Sequence, residues 1–313
     1  MFYTVWAILN FGFDFWEQTK AHWPIGAAMA LGSYVAGSTP MGGGTVGFPV
    51  LVLMFDLPAS LGRNFGLAVQ SIGMTSASIF ILCRRTPIEV PMLLWSMVGG
   101  ALGLVAGTFW VVPLLPDTNV KLAFACLWMS FGVLTIIKNR EICGFNTKPA
   151  IPPVLSRNIG LIVGLTGGVA TALTGVGIDM LLYTVLVLLF RTELKVAVPT
   201  SVMIMAALSM MGVALHWIIG DMDREVFYNW LAAAPVVILG APMGAFFVSI
   251  IPRIRTLYFV SVLCIIQFVW TIYQVSPNAD EWVFVTGHLI AASIGFVILY
   301  RMGKARASRQ AGN

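Results

Sequence analysis

Charged residues are scarce in this sequence of 313 residues, and their scarcity decides its class. Asp, Glu, Lys and Arg together make up 10% of the chain, whereas hydrophobic residues make up 58%. Soluble domains carry about 25% charged residues. The composition therefore predicts an integral membrane protein, and no long polar region remains in which a soluble domain could fold.

Motifs that would indicate metal, nucleotide or covalent chemistry are also absent. The four cysteines form no CxxC pair and have no His at metal-ligand spacing. There is no GxxxxGK[ST] phosphate loop and no Ser in a GxSxG context. We therefore expect no cofactor, no metal and no step driven by ATP. An intramembrane enzyme, which needs a nucleophile with a nearby base, is only a remote alternative.

The most distinctive stretch that is present is 37–47, which holds five glycines and a proline in eleven residues between two apolar runs. Such a composition disfavours a helix. A break at membrane depth persists only where its backbone is packed in protein or lines a wet cavity. A similar break followed by an apolar run recurs 135 positions later, where Thr39 and Gly42 correspond to Thr174 and Gly177. A kink is the simpler interpretation of one break, but the recurrence favours an internal repeat.

Seven other segments are apolar and close to the length needed to cross a bilayer, which is about 20 residues. They are 57–83, 88–115, 119–138, 196–220, 226–252, 256–274 and 283–300. The two interrupted segments, 22–55 and 158–190, are too long for one simple span. We expect each of them to form two half-length helices that meet at its glycine break.

Basic residues between the spans predict the orientation, because cytoplasmic loops are enriched in Lys and Arg. Both ends of segment 22–55 then lie outside and both ends of segment 158–190 inside, so each segment turns back as a hairpin. The basic residues that fall inside are Arg84, Arg85, Lys138, Arg140, Lys148, Arg157, Arg191, Lys195, Arg253, Arg255, Arg301, Lys304, Arg306 and Arg309. The acidic residues that fall outside are Asp221, Asp223, Glu225, Asp280 and Glu281. Lys20 and Lys121 are exceptions, since they fall outside.

The predicted fold is all-α: a polytopic membrane protein with two repeats of inverted topology. Each repeat is a broken re-entrant hairpin followed by three spanning helices, and one extra span follows at the C-terminus. The predicted parts are an N-terminal interfacial segment 1–21, a first repeat 22–138, a cytoplasmic loop 139–157, a second repeat 158–274, and the extra span with a basic tail 275–313. Inverted repeats with discontinuous helices that meet near the midplane are typical of secondary transporters.

Both halves carry short motifs built on glycine and proline. The first half has Met41-Gly42-Gly43-Gly44 followed by Pro49, and the second has Gly175-Val176-Gly177 followed by Ala197-Val198-Pro199-Thr200-Ser201. These motifs resemble those of the sulfite exporter TauE/SafE family, also called the toluene-sulfonate uptake permease family. This chain departs from the family's pattern at two places. In the first half, Gly62-Arg63-Asn64-Phe65-Gly66 replaces the family's later element Ala-Val-Gly-Thr-Ser, and in the second half the glycine triplet is missing. The resemblance covers roughly 26–274 and implies transport of small sulfur-containing or carboxylated anions.

An anion site at the two breaks would need several hydrogen-bond donors. Half-helix N-termini supply backbone N–H groups and positive dipole ends, and hydroxyl groups add further donors. The alternative is that these hydroxyls cap helices or bond back to their own helix. The predicted substrate-binding residues are Arg63, Asn64, Gln70, Ser38, Thr39, Gly42, Gly43, Gly44, Thr45, Thr174, Gly175, Gly177, Thr200 and Ser201.

Two charged side chains in the apolar segments have alternative interpretations. Arg63 has a planar fork that matches a sulfonate or carboxylate, but its position also allows it to snorkel to the external surface. Only the first half has this charge, because the repeat position is Val198. Asp179 directly follows the second break, where it either caps the next helix or binds a coupling ion or proton.

We therefore expect a secondary transporter, not an enzyme, in a bacterial inner membrane with its C-terminus in the cytoplasm. It would move sulfite or an organosulfonate such as sulfoacetate by alternating access, with the small anion and the lipid bilayer as partners and no nucleic acid. Export is the favoured direction, because moving an anion out of a negative interior releases about 2.3 kcal/mol per charge per 100 mV. An importer of the same substrates and a passive anion channel are alternatives.

Overall fold

The computed structural model describes residues 2–39, 42–143, 151–248 and 253–311. Those residues are mostly helical and contain no strand, as the composition predicts. The α-helices are α1 Phe2–Ala7, α2 Trp16–Ala21, α3 Trp23–Ser38, α4 Gly44–Pro49, α5 Ala59–Cys83, α6 Val90–Ala106, α7 Asp117–Cys143, α8 Pro153–Thr174, α9 Ile178–Leu188, α10 Leu194–Ile218, α11 Arg224–Val248, α12 Arg253–Val275 and α13 Ala279–Ala311. Turns of π-helix at Ile8–Gly12, Val50–Met54 and Gly107–Val111 and a 3₁₀ turn at Val112–Leu114 extend α1, α4 and α6.

Eight helices within the described ranges are long and apolar enough to cross a membrane. Seven of them coincide with the seven predicted spans, although α13 continues to Ala311 and so includes part of the predicted basic tail. The eighth is α8, whose 22 residues are about 33 Å long at 1.5 Å per residue. The expectation of two half-length arms is therefore wrong for the second hairpin, because only α9, with 11 residues, is short.

The first break is narrower than the glycine content predicts. Helix α3 continues through Gly37 and Ser38, and α4 already begins at Gly44. Gly37 serves close packing rather than a turn, since a Cβ there would overlap the carbonyl oxygen of Ala241 on α11. Pro40 and Met41, together with residues 144–150 of the predicted cytoplasmic loop, lie outside the described residues.

Long helices of the first half pack against long helices of the second half in corresponding order. Helix α3, which leads into the first break, packs on α11, and α8, which leads into the second break, packs on α6. The spans that follow the breaks, α5 and α10, pack on each other, as do α7 and α12. The short arms α4 and α9 lie against α5 and α10 respectively. Each break is thus held between helices of both halves.

Glycines allow the backbones of α6 and α8 to approach closely. Glycines recur at four-residue spacing along the contact. They are Gly99 and Gly103 on α6, Gly107 in the π-turn that extends α6, and Gly160, Gly164 and Gly168 on α8. A Cβ at Gly103 would overlap the carbonyl oxygen of Leu165, and one at Gly168 would overlap that of Gly100. Small residues at this spacing are typical of helix pairs in membranes, where packing replaces the hydrophobic effect as the driving force.

Both ends of the described chain pack on the helical core. In the N-terminal segment the Tyr3 hydroxyl donates to the carbonyl oxygen of Pro235 at 2.8 Å, and the Trp6 indole donates to that of Leu231, also at 2.8 Å. At the other end, the Arg306 guanidinium of α13 lies 5.1 Å from the ring centre of Phe190, just after α9. The extra helix α13 therefore contacts the base of the second hairpin.

Candidate functional site

The two helix breaks meet at Gly42, Gln70 and Asp179. Gly42 has a φ of 65°, which a residue with a side chain rarely adopts. A Cβ there would overlap Oε1 of Gln70 and lie 3.1 Å from Oδ2 of Asp179. Gln70 and Asp179 are 1% and 0% exposed. The backbone of Gly42 in the first break therefore lies against the carboxyl group of Asp179 in the second break. The side-chain amide of Gln70, on α5, lies beside both.

Glutamine 70 also ties α5 to the second break. Its Nε2 donates to the carbonyl oxygen of Gly175 and to that of Gly66, each at 3.0 Å. Gly175 has a φ of 77°, and a Cβ there would overlap the carbonyl oxygen of Arg63. The glycine in the second break is therefore required both by its backbone conformation and by the close approach of α5.

Backbone N–H groups at the second break are bonded within the break itself. Oδ1 of Asp179 accepts from the N–H of Gly177 at 3.2 Å and from that of Met180 at 2.9 Å. The hydroxyls of Thr171 and Thr174 accept from the next N–H groups, those of Ile178 at 3.3 Å and Val176 at 3.4 Å. Asp179 thus caps the start of α9 with one carboxylate oxygen, and in this conformation these donors are not free for a substrate.

The predicted hydroxyl donors bond back to their own helices. Thr39 donates to the carbonyl oxygen of Val35 at 2.7 Å, and Ser38 makes a longer contact of 3.4 Å with the same atom. Ser201 donates to Val198 at 2.8 Å. The Thr174 hydroxyl donates within its own break, with acceptors at Ala170 and Val176, 3.0 and 2.9 Å away. Any of these hydroxyls must rotate before it can donate to an anion.

Three further predicted positions, Thr200 and the glycines Gly43 and Gly44 of the first break, do not share the contacts of these hydroxyls. The Thr200 hydroxyl donates to Val196 at 2.6 Å and accepts from the N–H of Glu89 at 3.0 Å, which ties α10 to the loop before α6. Gly43 is buried and precedes α4, which begins at Gly44. The side chain of Thr45 lies outside what the structure describes.

Arg63 forms an ion pair that the sequence does not predict. Its guanidinium donates to Oδ2 of Asp221, in the turn after α10, and to Oδ1 of Asn64 at 2.9 Å. Asn64 donates to the carbonyl oxygen of Asp221 at 2.6 Å, and Nδ1 of His216 lies 3.0 Å from Oδ2 of Asp221. Arg63 and His216 are 4% and 0% exposed, whereas Asp221 is 44% exposed. These four residues, named the Arg63 cluster below, join one end of α5 to one end of α10.

A cavity of about 480 Å³ opens at the other end of α5. Its wall includes Arg84 and Arg85 after α5 and Lys195 at the start of α10, and the described residues that line it include no Asp or Glu. The cavity reaches Ser38 at the end of α3 and Pro199 in α10. Its volume is within the range of small-molecule sites, and its charge suits an anion. We name it the basic cavity.

Helix α5 sets the order of these features across the protein. At 1.5 Å per residue, Gln70 lies about 10 Å along the helix from Arg63, and Arg84 lies about 21 Å further. The Arg63 cluster lies at one end, Gln70 contacts both breaks inside, and the basic cavity opens at the other end. The structure therefore does not bring Arg63 together with Ser38 and Pro199.

Sequence reasoning missed the partner of Arg63 and the lining of the cavity. The loop charges place Asp221 outside but give it no role, and no sequence pattern singles out His216, although a buried arginine requires a counter-charge. In the sequence, Arg84, Arg85 and Lys195 indicate only the orientation. Within the described ranges, no group of three or more His, Cys, Asp or Glu side chains could hold a metal.

The family model described as Sulfite exporter TauE/SafE matches residues 25–270. The chain belongs to the sulfite exporter TauE/SafE family. The match confirms the resemblance seen in the motifs, and the TauE/SafE region includes both breaks, α5 and α10. Searches of curated proteins and of solved structures gave no match. As a member of a transporter family, the protein is a membrane transporter of the sulfite-exporter type.

Proposed function

We propose that this protein is a secondary transporter that exports a small sulfur-containing anion, sulfite or an organosulfonate such as sulfoacetate, across the inner membrane. The observation that carries the proposal is the basic cavity, which leads from one face of the protein to the first helix break. The three cations in its wall attract an anion and raise its local concentration. Membership in the TauE/SafE family supports the same substrate class.

Alternating access requires that the site be closed on one face while it is open on the other. In this conformation the Arg63 cluster occupies one end of α5 and the cavity opens at the other. Asp221 supplies Arg63 with a carboxylate, which has the same charge and fork-matching geometry as a sulfonate. In the opposite-facing conformation, we propose that the substrate replaces Asp221 on Arg63. A passive channel would instead need a continuous wet path.

The reciprocal packing of the helices supports two inverted repeats. If α3 to α7 and α8 to α12 are equivalent, then the α3 to α11 and α8 to α6 contacts are the same contact made twice. The α5 to α10 and α7 to α12 contacts then lie on the pseudo-symmetry axis. In the proposed orientation, the loops with Arg84 and Lys195 are cytoplasmic, so the cavity is open to the inside.

Counterflow in proteoliposomes tests the proposal. Vesicles loaded with unlabelled sulfite, sulfoacetate, taurine or a carboxylate are diluted into labelled substrate, with empty vesicles as the control. We expect saturable accumulation of label that is strongest for sulfite or a sulfonate, because a carrier exchanges substrate across the membrane. Flux without saturation or counterflow would indicate a channel. Counterflow with the carboxylate alone would overturn the proposed substrate class.

A further inference from the structure

We propose that Asp179 and Gln70 form a proton-binding site, and that a proton bound there is moved when the proposed transporter turns over. The proposal rests on the proposed function for its role in transport, but the site itself follows from geometry. Oδ2 of Asp179 and Oε1 of Gln70 are both buried and have no hydrogen-bond partner among the described residues. Both lie against Gly42, so they face the same small space.

The orientation of the Gln70 amide is fixed by its other bonds. Nε2 donates to two carbonyl oxygens, those of Gly66 and Gly175. A flipped amide would place its oxygen against these two acceptors and lose both bonds. Oε1 must therefore face Gly42 and Asp179. As an acceptor, it needs a donor on the side where Asp179 lies.

The carboxyl group has one oxygen available to be that donor. Oδ1 accepts from the N–H groups of Gly177 and Met180 and so keeps its lone pairs engaged. Oδ2 accepts nothing from the described residues. An ionised Asp179 would leave two acceptors facing each other in a buried site, which is costly. A proton on Oδ2 turns it into a donor to Oε1 and satisfies both atoms.

Among the described residues, no ion pair or hydrogen bond joins Asp179 to a charged side chain. Helices α8, α10 and α13 pack on α9, and Gln70 brings α5 against the break. The titratable or charged side chains on these helices and on α9 are Arg63, Cys83, Arg157, Asp179, Tyr183, Lys195, His216, Asp280, Glu281, His288, Tyr300, Arg301, Lys304, Arg306 and Arg309. Arg63 and His216 are bonded to Asp221, while Arg157 and Lys195 are exposed. Burial and backbone N–H groups make up the surroundings of the carboxyl group. A proton is thus the neutralising partner that the site can take.

The proton site and the basic cavity both adjoin the first break. Ser38 lines the cavity, and Gly42, four positions further along the chain, lies on Asp179. In each cycle, the Oδ2 carboxylate takes a proton from water on one side and forms an O–H bond that donates to Oε1. After the breaks move, the O–H bond opens and the proton passes to water on the other side. No electrons are transferred and no other reactant is consumed. A metal cation is less suited, because two oxygens are too few ligands for it.

Asp179→Asn provides the test, because the asparagine amide can donate to Oε1 as the protonated acid does. Wild-type protein and the variant are reconstituted in vesicles that hold a pH indicator, with the membrane voltage clamped. Downhill flux of a sulfonate, whose headgroup neither binds nor releases a proton near neutral pH, should change the internal pH with the wild type. Relative to its own substrate flux, whatever the rate of that flux, the variant should lose the coupled proton movement. Asp223→Asn, at an exposed loop position, is the control and should keep both.

A second measurement does not depend on transport. The infrared absorption of a protonated carboxyl group is recorded in detergent over a pH series, and the band should be absent from Asp179→Asn and present in Asp223→Asn. A wild type without any sulfite flux would count against the proposed function, whereas the infrared band would still report on the proton site. Proton movement that persists in Asp179→Asn, dependence of flux on sodium instead of pH, or an infrared spectrum unchanged by Asp179→Asn would overturn the proton site.

Discussion

Asp221 holds the guanidinium of Arg63 at one end of α5, and His216 and Asn64 complete the contact. The pair joins α5, the span after the first break, to the end of α10, the span after the second break. Because Asp221 is half exposed while Arg63 is buried, the acid can leave for water more easily than the arginine can. The pair is therefore suited to open when the transporter changes its conformation.

The first prediction separates the two partners of this pair. Arg63→Ala should weaken sulfite binding by about 10- to 150-fold, since a charge-assisted hydrogen bond is worth about 1.5–3 kcal/mol. Asp221→Asn should strengthen binding, because the competing carboxylate is removed while the Asn64 bond to the backbone at 221 remains. Affinities of purified variants, measured by calorimetry, provide the comparison. Equal affinities in wild type and both variants would assign Arg63 to structure alone.

The second prediction concerns the contact between the breaks. Gly42→Ala should lower the free energy of unfolding by about 2–4 kcal/mol, from overlap with Gln70 and from the positive φ. Transport should fall with it. Gly287→Ala, in α13 where a Cβ meets nothing within 4 Å, is the matched control and should be stable and active. Unfolding by SDS in mixed micelles gives the free energies. A Gly42→Ala protein as stable as the control would contradict the meeting of the two breaks.

The third prediction tests the close packing of α6 on α8. Gly103→Ala places a methyl group on the carbonyl oxygen of Leu165, and overpacking of this kind costs about 1–3 kcal/mol. Gly295→Ala adds the same methyl group to α13, where nothing lies within 4 Å. The same SDS unfolding assay should therefore separate the two variants. If both unfold at the same SDS fraction, the helices are further apart than the structure places them.

The sequence predicts the positions of whole spans better than it predicts the structure within the hairpins. Spans such as α5 and α10 were predicted within about two residues, because a bilayer sets their length and composition. The second hairpin was wrong in detail, since α8 continues to full span length before Gly175 ends it. Gly160, Gly164 and Gly168 do not shorten α8, because they serve its contact with α6.

The site was less predictable than the fold. Gln70 and Asp179 were both singled out, but their meeting over Gly42 depends on how two distant breaks pack. No local pattern encodes that contact. Arg63 illustrates the same limit, because its partner lies 158 positions away in the chain. The sequence does hold one clue to this partner. Asp221 lies in a loop predicted to be outside, at the same membrane face as Arg63, where a buried arginine needs a counter-charge.

The fourth prediction concerns the inverted topology. In a protein whose native cysteines are replaced, single cysteines at Leu57 and Asn158 are labelled with a reagent that cannot cross the membrane. Position 57 should react from outside and position 158 only after the membrane is opened, because the two hairpins enter from opposite faces. A shared labelling side would contradict the inverted repeats while leaving the helix packing unchanged.

The basic cavity is the proposed route of the anion, and the affinity for sulfite tests that role directly. A triple variant with Arg84, Arg85 and Lys195 each changed to Gln is compared with Arg157→Gln, which removes one exposed charge on the same proposed face outside the cavity lining. The triple variant should bind sulfite on the order of tenfold more weakly and lose most of the salt dependence of binding. Arg157→Gln should match the wild type. Equal affinity and equal salt dependence in all three proteins would contradict the cavity as the route of the anion.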